Sequence, residues 1–184
     1  MWDMNGPTPL VEELLALGAE EGLSVPARIA VPGCGYGHDA ARLASLGFDV
    51  TGVDFAPRAL VGARSRYGEA VRWIEADWLE SSFPLFDAVF DHTCFPSFAP
   101  ERRVAVAAAH AGKLRPAGLW LGVFFSAVSR DADPPFAIGP AELRTLAEGS
   151  FDVLHLGEAT RSHPARAGRE FLLVARRKGE RAAP

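Results

Sequence analysis

The sequence is poor in cysteine and has no long hydrophobic run. Its two cysteines, Cys34 and Cys94, belong to no C-x-x-C or C-x-x-H pair, which excludes a disulfide scaffold and a zinc site. We therefore expect no metal and a reducing, cytoplasmic location. The longest apolar run, at 119–128, is about half the length of a membrane-spanning helix, and the amino terminus has no secretory signal. These absences predict no membrane partner.

Clustered positive charge is missing as well. The formal net charge is −4, and the arginines are scattered without forming a basic stripe. This pattern argues against a nucleic-acid partner. With 184 residues, the chain is long enough for one domain with a proper core, expected at 1–178, followed by a frayed tail at 179–184.

Short apolar runs alternate with helical patterns along the chain. This alternation predicts right-handed crossovers and a mostly parallel seven-stranded sheet, the α/β class. The last two runs are joined by a turn-rich stretch without a helix, which predicts an antiparallel hairpin at one edge. We expect strands at 28–32, 48–54, 70–74, 86–90, 119–125, 151–156 and 169–177, and helices at 7–19, 38–46, 58–67, 100–114 and 140–148.

A glycine-rich segment, VPGCGYGHD at 31–39, follows the first predicted strand and precedes a helix. Gly33, Gly35 and Gly37 lack a Cβ, so backbone N–H groups there can approach a nucleotide-like cofactor. The spacing is G-x-G-x-G, whereas the dinucleotide fingerprint is G-x-G-x-x-G. The loop therefore predicts a cofactor site without naming the cofactor.

Acidic residues follow the next strands, at the sheet edge where ligands of open α/β folds bind. Asp54 is placed to accept the hydroxyls of a ribose, or to cap the helix that begins at Pro57. Asp77, in EADWLE, is placed to accept an adenine amino group with Trp78 on the ring face, or to form a plain surface turn.

Histidines and one tryptophan complete the candidates. His92, in FDHTCFPSF, either contacts a cofactor or is structural, and Trp2 either folds over a ligand or plugs the core edge. His38 and Asp39 are adjacent on a helix and so do not face each other, which favours capping over acid–base chemistry. Cys34 is expected to pack under the turn, and His110 is expected on the surface.

Eight blocks occur in a fixed order between Trp2 and Lys178: WDMNGPTPLV, AVPGCGYGHD, FDVTGVDFAPRAL, EADWLE, FDAVFDHTCF, LRPAGLWL, DPPFAIGPAEL and ARAGREFLLVARRK. Together they resemble the thiopurine S-methyltransferase family of S-adenosylmethionine-dependent methyltransferases. The nearest branch is the halide and thiol methyltransferases. The resemblance implies the Rossmann-like class I methyltransferase sheet with helices on both faces.

The resemblance also implies roles for individual residues. Trp2 lies by the methionine end of S-adenosylmethionine, with the loop of Gly33 and Gly35 beneath it. Asp54 binds the ribose, and Asp77 and Trp78 surround the adenine. His92 stands where the plant enzymes have a tyrosine.

The implied reaction is direct in-line methyl transfer to a thiol, bisulfide, thiocyanate or halide, leaving S-adenosylhomocysteine. Such nucleophiles arrive deprotonated, so no general base is expected. An O- or N-methyltransferase of a small metabolite is the alternative, with His92 or His38 as its base. Another alternative is a degenerate, non-catalytic module that binds the cofactor without turnover.

Family members carry a further tryptophan-containing stretch before the block WD-x-x-x-x-TP, and it helps to close the site. The sequence begins at that block. We therefore expect either an upstream start or a missing lid, and a missing lid lowers the rate because water then reaches the reacting groups.

Overall fold

Seven strands form one mixed sheet in the order β3-β2-β1-β4-β5-β7-β6. The structure is a computed structural model that describes residues 4–128 and 134–179. The strands are β1 Arg28–Pro32, β2 Asp49–Asp54, β3 Arg72–Glu75, β4 Phe86–His92, β5 Leu114–Phe125, β6 Phe151–Glu158 and β7 Glu170–Arg177. The helices are α1 Leu10–Glu20, α2 His38–Ser45, α3 Pro57–Tyr67, α4 Arg103–Lys113 and α5 Pro140–Ala147.

The sheet confirms the predicted α/β architecture. Strands β1 to β5 pair in parallel, and β6 and β7 form the expected antiparallel hairpin. β7 also pairs antiparallel with β5. The second strand of the hairpin, β7, therefore lies between β5 and β6, and β6 is the edge strand. Strand order reverses at β1, which lies between β2 and β4. In such sheets the ligand site lies at the carboxyl ends of the strands beside this switch point.

The largest boundary error lies at the join between α4 and β5, because β5 begins at Leu114 and not at Leu119. The helix expected to run to Leu114 ends at Lys113, and Leu114 already pairs with Phe86 of β4. The ladder then shifts, so that Ala88 pairs with Leu119 and residues 115–118 are left unpaired opposite β4. The proline and glycine in that stretch indicate a turn, but the strand continues through it as a bulge.

Apolar side chains cover both faces of the sheet. One layer joins the sheet to α1, α2 and α3, and the other joins it to α4 and α5. His110 is fully buried in the second layer, so its predicted surface position is wrong. Its neighbours on the helix, Val106 and Ala107, are buried too, which places His110 on the inner face of α4. Among the helices that the structure describes, none is long and apolar enough to cross a membrane.

Candidate cofactor site

A cavity of about 430 Å³ opens at the carboxyl ends of β1, β2 and β4, beside the switch point. It brings together four of the predicted site residues, Gly33, Gly35, Asp54 and His92. Its lining comes from residues 4–8, from 31–39, from 54–59 and from 92–97.

Asp54 ties the glycine loop to the start of α3. One carboxylate oxygen accepts a hydrogen bond from the N–H of Gly35 at 2.8 Å, and the other accepts from the N–H of Ala56 at 2.9 Å. The residue is only 8% exposed, yet it lines the cavity. Both sequence-based interpretations therefore have a structural basis, because the carboxylate supports the helix start and has lone pairs left for a ligand.

Gly37 makes a close approach that only glycine allows. It is the N-cap residue before α2, with φ of 79°, and a Cβ there would lie 2.3 Å from the Trp73 ring. The N–H of Gly37 donates to the carbonyl of Cys34 at 2.8 Å, which closes the glycine turn. The strand, glycine loop and helix therefore follow one another as the sequence predicts.

Replacing Gly37 with alanine is expected to lower the free energy of unfolding by at least about 2 kcal/mol, through left-handed strain and overpacking against Trp73. Gly35→Ala is the matched control, because φ there is 53° but a Cβ would meet no atom within 4 Å. We expect Gly35→Ala to lower the free energy of unfolding by the backbone strain alone, about 1–2 kcal/mol. Urea denaturation checks both, and equal losses would contradict the packing argument.

The loop of Asp77 and Trp78 lies outside the cavity lining. Asp77 is exposed and accepts the N–H of Leu79 at 2.7 Å. The Trp78 ring is 4% exposed and stacks on Phe83, with centroids 5.3 Å apart. The adenine contact expected of Asp77 and Trp78 stays a prediction. Of these two residues, only Asp77 is exposed to solvent.

A buried hydrogen-bond chain joins this loop to the cavity wall. Trp78 donates from its indole N–H to Nδ1 of His110 at 2.9 Å, and Nε2 of His110 lies 2.8 Å from Asp91. Because the indole can only donate, His110 carries its proton on Nε2 and donates it to Asp91. Asp91 also accepts the N–H groups of Cys94 and Phe95. Sequence inspection missed this chain because its members are far apart in sequence.

His92 lies in the cavity wall between a carboxylate and a guanidinium. Its Nδ1 is 2.7 Å from Asp39, and its Nε2 is 3.0 Å from the guanidinium of Arg166. Asp39 also accepts the N–H of Thr8 at 2.7 Å. Burial by itself raises the pKa of the Asp39 carboxyl, but the charge and hydrogen bond of His92 and the Thr8 N–H outweigh it, so the pKa lies below its usual value.

The other histidine of the cavity, His38, also has a protein partner at each ring nitrogen. Nδ1 of His38 lies 2.6 Å from the Tyr67 hydroxyl, and Nε2 lies 3.1 Å from the Arg66 guanidinium. Asp39, the next residue, pairs with His92 instead. The hydrogen bonds described for His38 and for Asp39 therefore go to other residues, as expected for adjacent positions on a helix.

Both cysteines line the cavity as protonated thiols. Burial, and then the charge of Asp54, raise the pKa of the Cys34 thiol far above its usual value. Burial, and then the charge of Asp91, do the same for the pKa of Cys94. Cys34 packs against the apolar layer under the glycine turn, as the sequence predicts, and is no nucleophile.

Phe55 is a site residue that the sequence analysis missed. It is 78% exposed and lines the cavity directly after Asp54. An exposed aromatic residue beside a buried carboxylate offers an apolar face to a flat ligand ring. Met4 and Thr8 also line the cavity, so the amino-terminal segment reaches the site. Trp2 lies outside the described residues.

Comparisons with known proteins place this site in a family. A model described as a methyltransferase domain matches residues 29–118. Thiocyanate methyltransferase 1 of Brassica oleracea is 30% identical over 179 residues, which span 93% of this chain and 77% of the relative. The chain belongs to the thiocyanate and thiol methyltransferase family. A probable thiol methyltransferase 2 of Arabidopsis thaliana is 29% identical over 148 residues, 77% of this chain and 63% of that relative.

Solved methyltransferases share the fold of this enzyme. The 1,6-didemethyltoxoflavin N1-methyltransferase of Burkholderia thailandensis, solved with S-adenosylhomocysteine, superposes with a TM-score of 0.74 at 23% identity, covering 93% of this chain and 79% of that one. The protein is thus a class I, S-adenosylmethionine-dependent methyltransferase. The resemblance noted in the sequence is confirmed.

The cavity residues fit this cofactor. The buried Asp54 carboxylate suits the ribose hydroxyls, and the exposed Phe55 ring suits the adenine. The acid Asp39 lies in the same cavity, which suits a cofactor that carries a positive sulfonium. The acids and the exposed aromatic ring of the cavity therefore fit a cofactor that carries a ribose, an adenine and a sulfonium.

Proposed function

We propose that this enzyme methylates a small, soft nucleophile such as a thiol, bisulfide, thiocyanate or halide. The observation that carries the proposal is the state of the two cavity histidines. Both ring nitrogens of His38 and both of His92 are hydrogen-bonded to protein groups. Neither ring therefore offers a lone pair to remove a proton, which suits an acceptor that arrives already deprotonated. The names of the relatives agree with this acceptor class.

S-adenosylmethionine supplies a methyl group activated by its sulfonium sulfur. The protein's own contribution is to bind and to orient. Asp54 binds the ribose end, the glycine loop lines the cavity, and Cys34 and Cys94 stay protonated and do not compete as nucleophiles. Holding two reactants in line lowers the barrier by about 7–11 kcal/mol when alignment is good.

A base-dependent O- or N-methyltransferase is less well supported. His92 and His38 were its candidate bases, and each donates or accepts at both nitrogens within the protein. We also propose a reducing, cytoplasmic location, which the two free thiols Cys34 and Cys94 support.

The pH dependence of turnover tests the acceptor class. We expect kcat/KM for iodide and thiocyanate to be flat between about pH 6 and 8.5, because these anions are never protonated there and no histidine acts as base. For a thiol, kcat/KM should instead rise with the thiol's own ionisation. S-adenosylhomocysteine release is the measurement. An iodide profile that breaks near the histidine pKa would contradict the mechanism, and cofactor binding without product from any acceptor would indicate a non-catalytic module.

A further inference from the structure

The described lining of the cavity contains acids but no lysine or arginine. Its carboxylates are those of Asp39 and Asp54, and among the described lining residues no guanidinium or ammonium group accompanies them. An anionic acceptor would therefore have no cationic side chain of this lining to contact. Besides the sulfonium of the cofactor, it would depend on neutral hydrogen-bond donors such as hydroxyl groups.

Three hydroxyl residues of this lining, Thr8, Tyr36 and Ser97, have other contacts. The Ser97 hydroxyl donates to the carbonyl of Cys94 at 2.6 Å. Thr8 is only 5% exposed, and its Oγ1 accepts a backbone N–H of α1 at 3.4 Å. Tyr36 packs against α3, since a Cβ on Gly62 would lie 2.8 Å from its ring. None of the three is therefore well placed to donate to an acceptor on the β4 side.

Thr93 is the remaining hydroxyl residue of the described lining, and it follows β4 directly. It is half-buried, and in the described part of the chain its hydroxyl makes no hydrogen bond. The ribose site at Asp54 and the ring of Phe55 lie at the end of β2, on the other side of β1. With the adenosine there, the sulfonium and its methyl group lie toward β1 and β4. Thr93 is therefore on the side from which the acceptor approaches the methyl group.

The backbone of Thr93 is held in a conformation that β-branched residues rarely adopt. Its φ is 73°, in the left-handed region. Asp91 accepts the N–H groups of Cys94 and Phe95, at 3.1 and 3.0 Å, and the turn that these bonds close contains Thr93. Glycine would adopt this φ without strain, so the threonine side chain is kept at a cost in stability. Residues held in such conformations cluster at ligand sites.

We propose that the Thr93 hydroxyl donates a hydrogen bond to the anionic methyl acceptor and so contributes to acceptor specificity. This inference rests on the acceptor class of the proposed function. The acceptor loses its negative charge as its lone pair forms the bond to the methyl carbon, while the carbon–sulfur bond of the sulfonium breaks and leaves its electron pair on that sulfur. The hydrogen bond is therefore stronger before the reaction than at the transition state. Thr93 thus binds the acceptor without accelerating the chemical step.

The test compares three variants with the wild type. Thr93→Val removes only the hydroxyl, because valine is also β-branched and keeps both the shape and the backbone strain. Thr93→Ser keeps the hydroxyl. Thr145→Val is the matched control, since Thr145 is exposed on α5 and its hydroxyl donates to the carbonyl of Ala141 at 3.1 Å. Thermal unfolding and calorimetry with S-adenosylhomocysteine verify that each variant is folded and binds at the cofactor site.

Steady-state kinetics with thiocyanate and iodide give the first readout. Thr93→Val should raise KM at least about tenfold, the loss of one hydrogen bond to a charged group, and should not lower kcat. Thr93→Ser and Thr145→Val should stay within about threefold of the wild type in both constants. An unchanged KM in Thr93→Val, or a serine variant as impaired as the valine variant, overturns the inference.

The second readout needs no turnover. Thiocyanate is titrated into enzyme saturated with S-adenosylhomocysteine, and its C≡N stretching band is followed by infrared spectroscopy. Because a donated hydrogen bond changes this band, bound thiocyanate should differ between the wild type and Thr93→Val but not between the wild type and Thr93→Ser. If thiocyanate binds in this way without being methylated, the proposed function fails and the inference stands. If the wild type binds no thiocyanate, or the band is the same in every variant, the inference is overturned.

Discussion

Replacing Asp54 with alanine is expected to weaken S-adenosylmethionine binding at least about a hundredfold. A buried carboxylate makes charge-assisted hydrogen bonds, each contributing about 1.5–3 kcal/mol, and two of them to the ribose correspond to at least two factors of ten. Asp54 also holds the N–H groups of Gly35 and Ala56, so its loss loosens the glycine loop at the same time. Titration calorimetry with the cofactor and with S-adenosylhomocysteine measures the effect.

Asp49→Ala is the matched control for Asp54→Ala. Asp49 is the first residue of β2, at the end of the strand away from the cavity. Its side chain is about half exposed and lies 3.8 Å from the guanidinium of Arg28, which makes a loose ion pair. Exposed pairs contribute about 0–1 kcal/mol, so this variant should bind both ligands like the wild type. A thermal unfolding scan verifies that both variants are folded. Binding by Asp54→Ala within about threefold of the wild type would show that the carboxylate does not contact the ribose.

Local patterns in the sequence were sufficient to predict the strands, the glycine loop and Asp54. Each depends on neighbours in sequence: the loop connects β1 to α2, and Asp54 ends β2. A short apolar run that ends at a glycine or an acid carries this information within about ten residues. The carboxyl edge of a parallel sheet then brings these ends together.

The contacts of His92 and His110 could not be predicted in the same way. His92 is 53 residues from Asp39 and 74 residues from Arg166, and His110 is 32 residues from Trp78. Such pairings follow from the packing of whole elements, including the inward position of β7, which brings the segment with Arg166 beside β4. A histidine alone on an alanine-rich helix gives no signal of a buried partner.

The second large expected effect is on the free energy of unfolding, and it concerns Asp91, which does not line the cavity. Asp91→Ala is expected to lower the free energy of unfolding by at least about 3 kcal/mol. Three buried donors lose their acceptor: Nε2–H of His110 and the N–H groups of Cys94 and Phe95. Each unsatisfied buried donor costs about 1–3 kcal/mol, and water does not reach them, since both side chains of the Asp91–His110 pair are fully buried.

Asp91→Asn separates the loss of volume from the loss of the acceptor. Asparagine has nearly the same shape, but its NH2 group would face either Nε2–H of His110 or a backbone N–H. If His110 shifts its proton to Nδ1 to relieve that contact, the proton then meets the indole N–H of Trp78. Every arrangement leaves one donor facing another, so we expect a loss of about 1–3 kcal/mol from this variant as well.

Asp152→Ala is the control, because Asp152 is an exposed aspartate on the edge strand β6 and should change stability by no more than about 0.5 kcal/mol. Urea denaturation gives the comparison. If Asp91→Asn is as stable as the wild type, the chain from Trp78 to Asp91 is not a hydrogen-bonded unit. If both Asp91 variants are destabilised yet bind cofactor normally below their unfolding transition, the chain stabilises the fold without shaping the cavity wall at Cys94. A fall in affinity along with stability would show that this buried histidine couples the loop of Asp77 to the wall that His92 and Cys94 share.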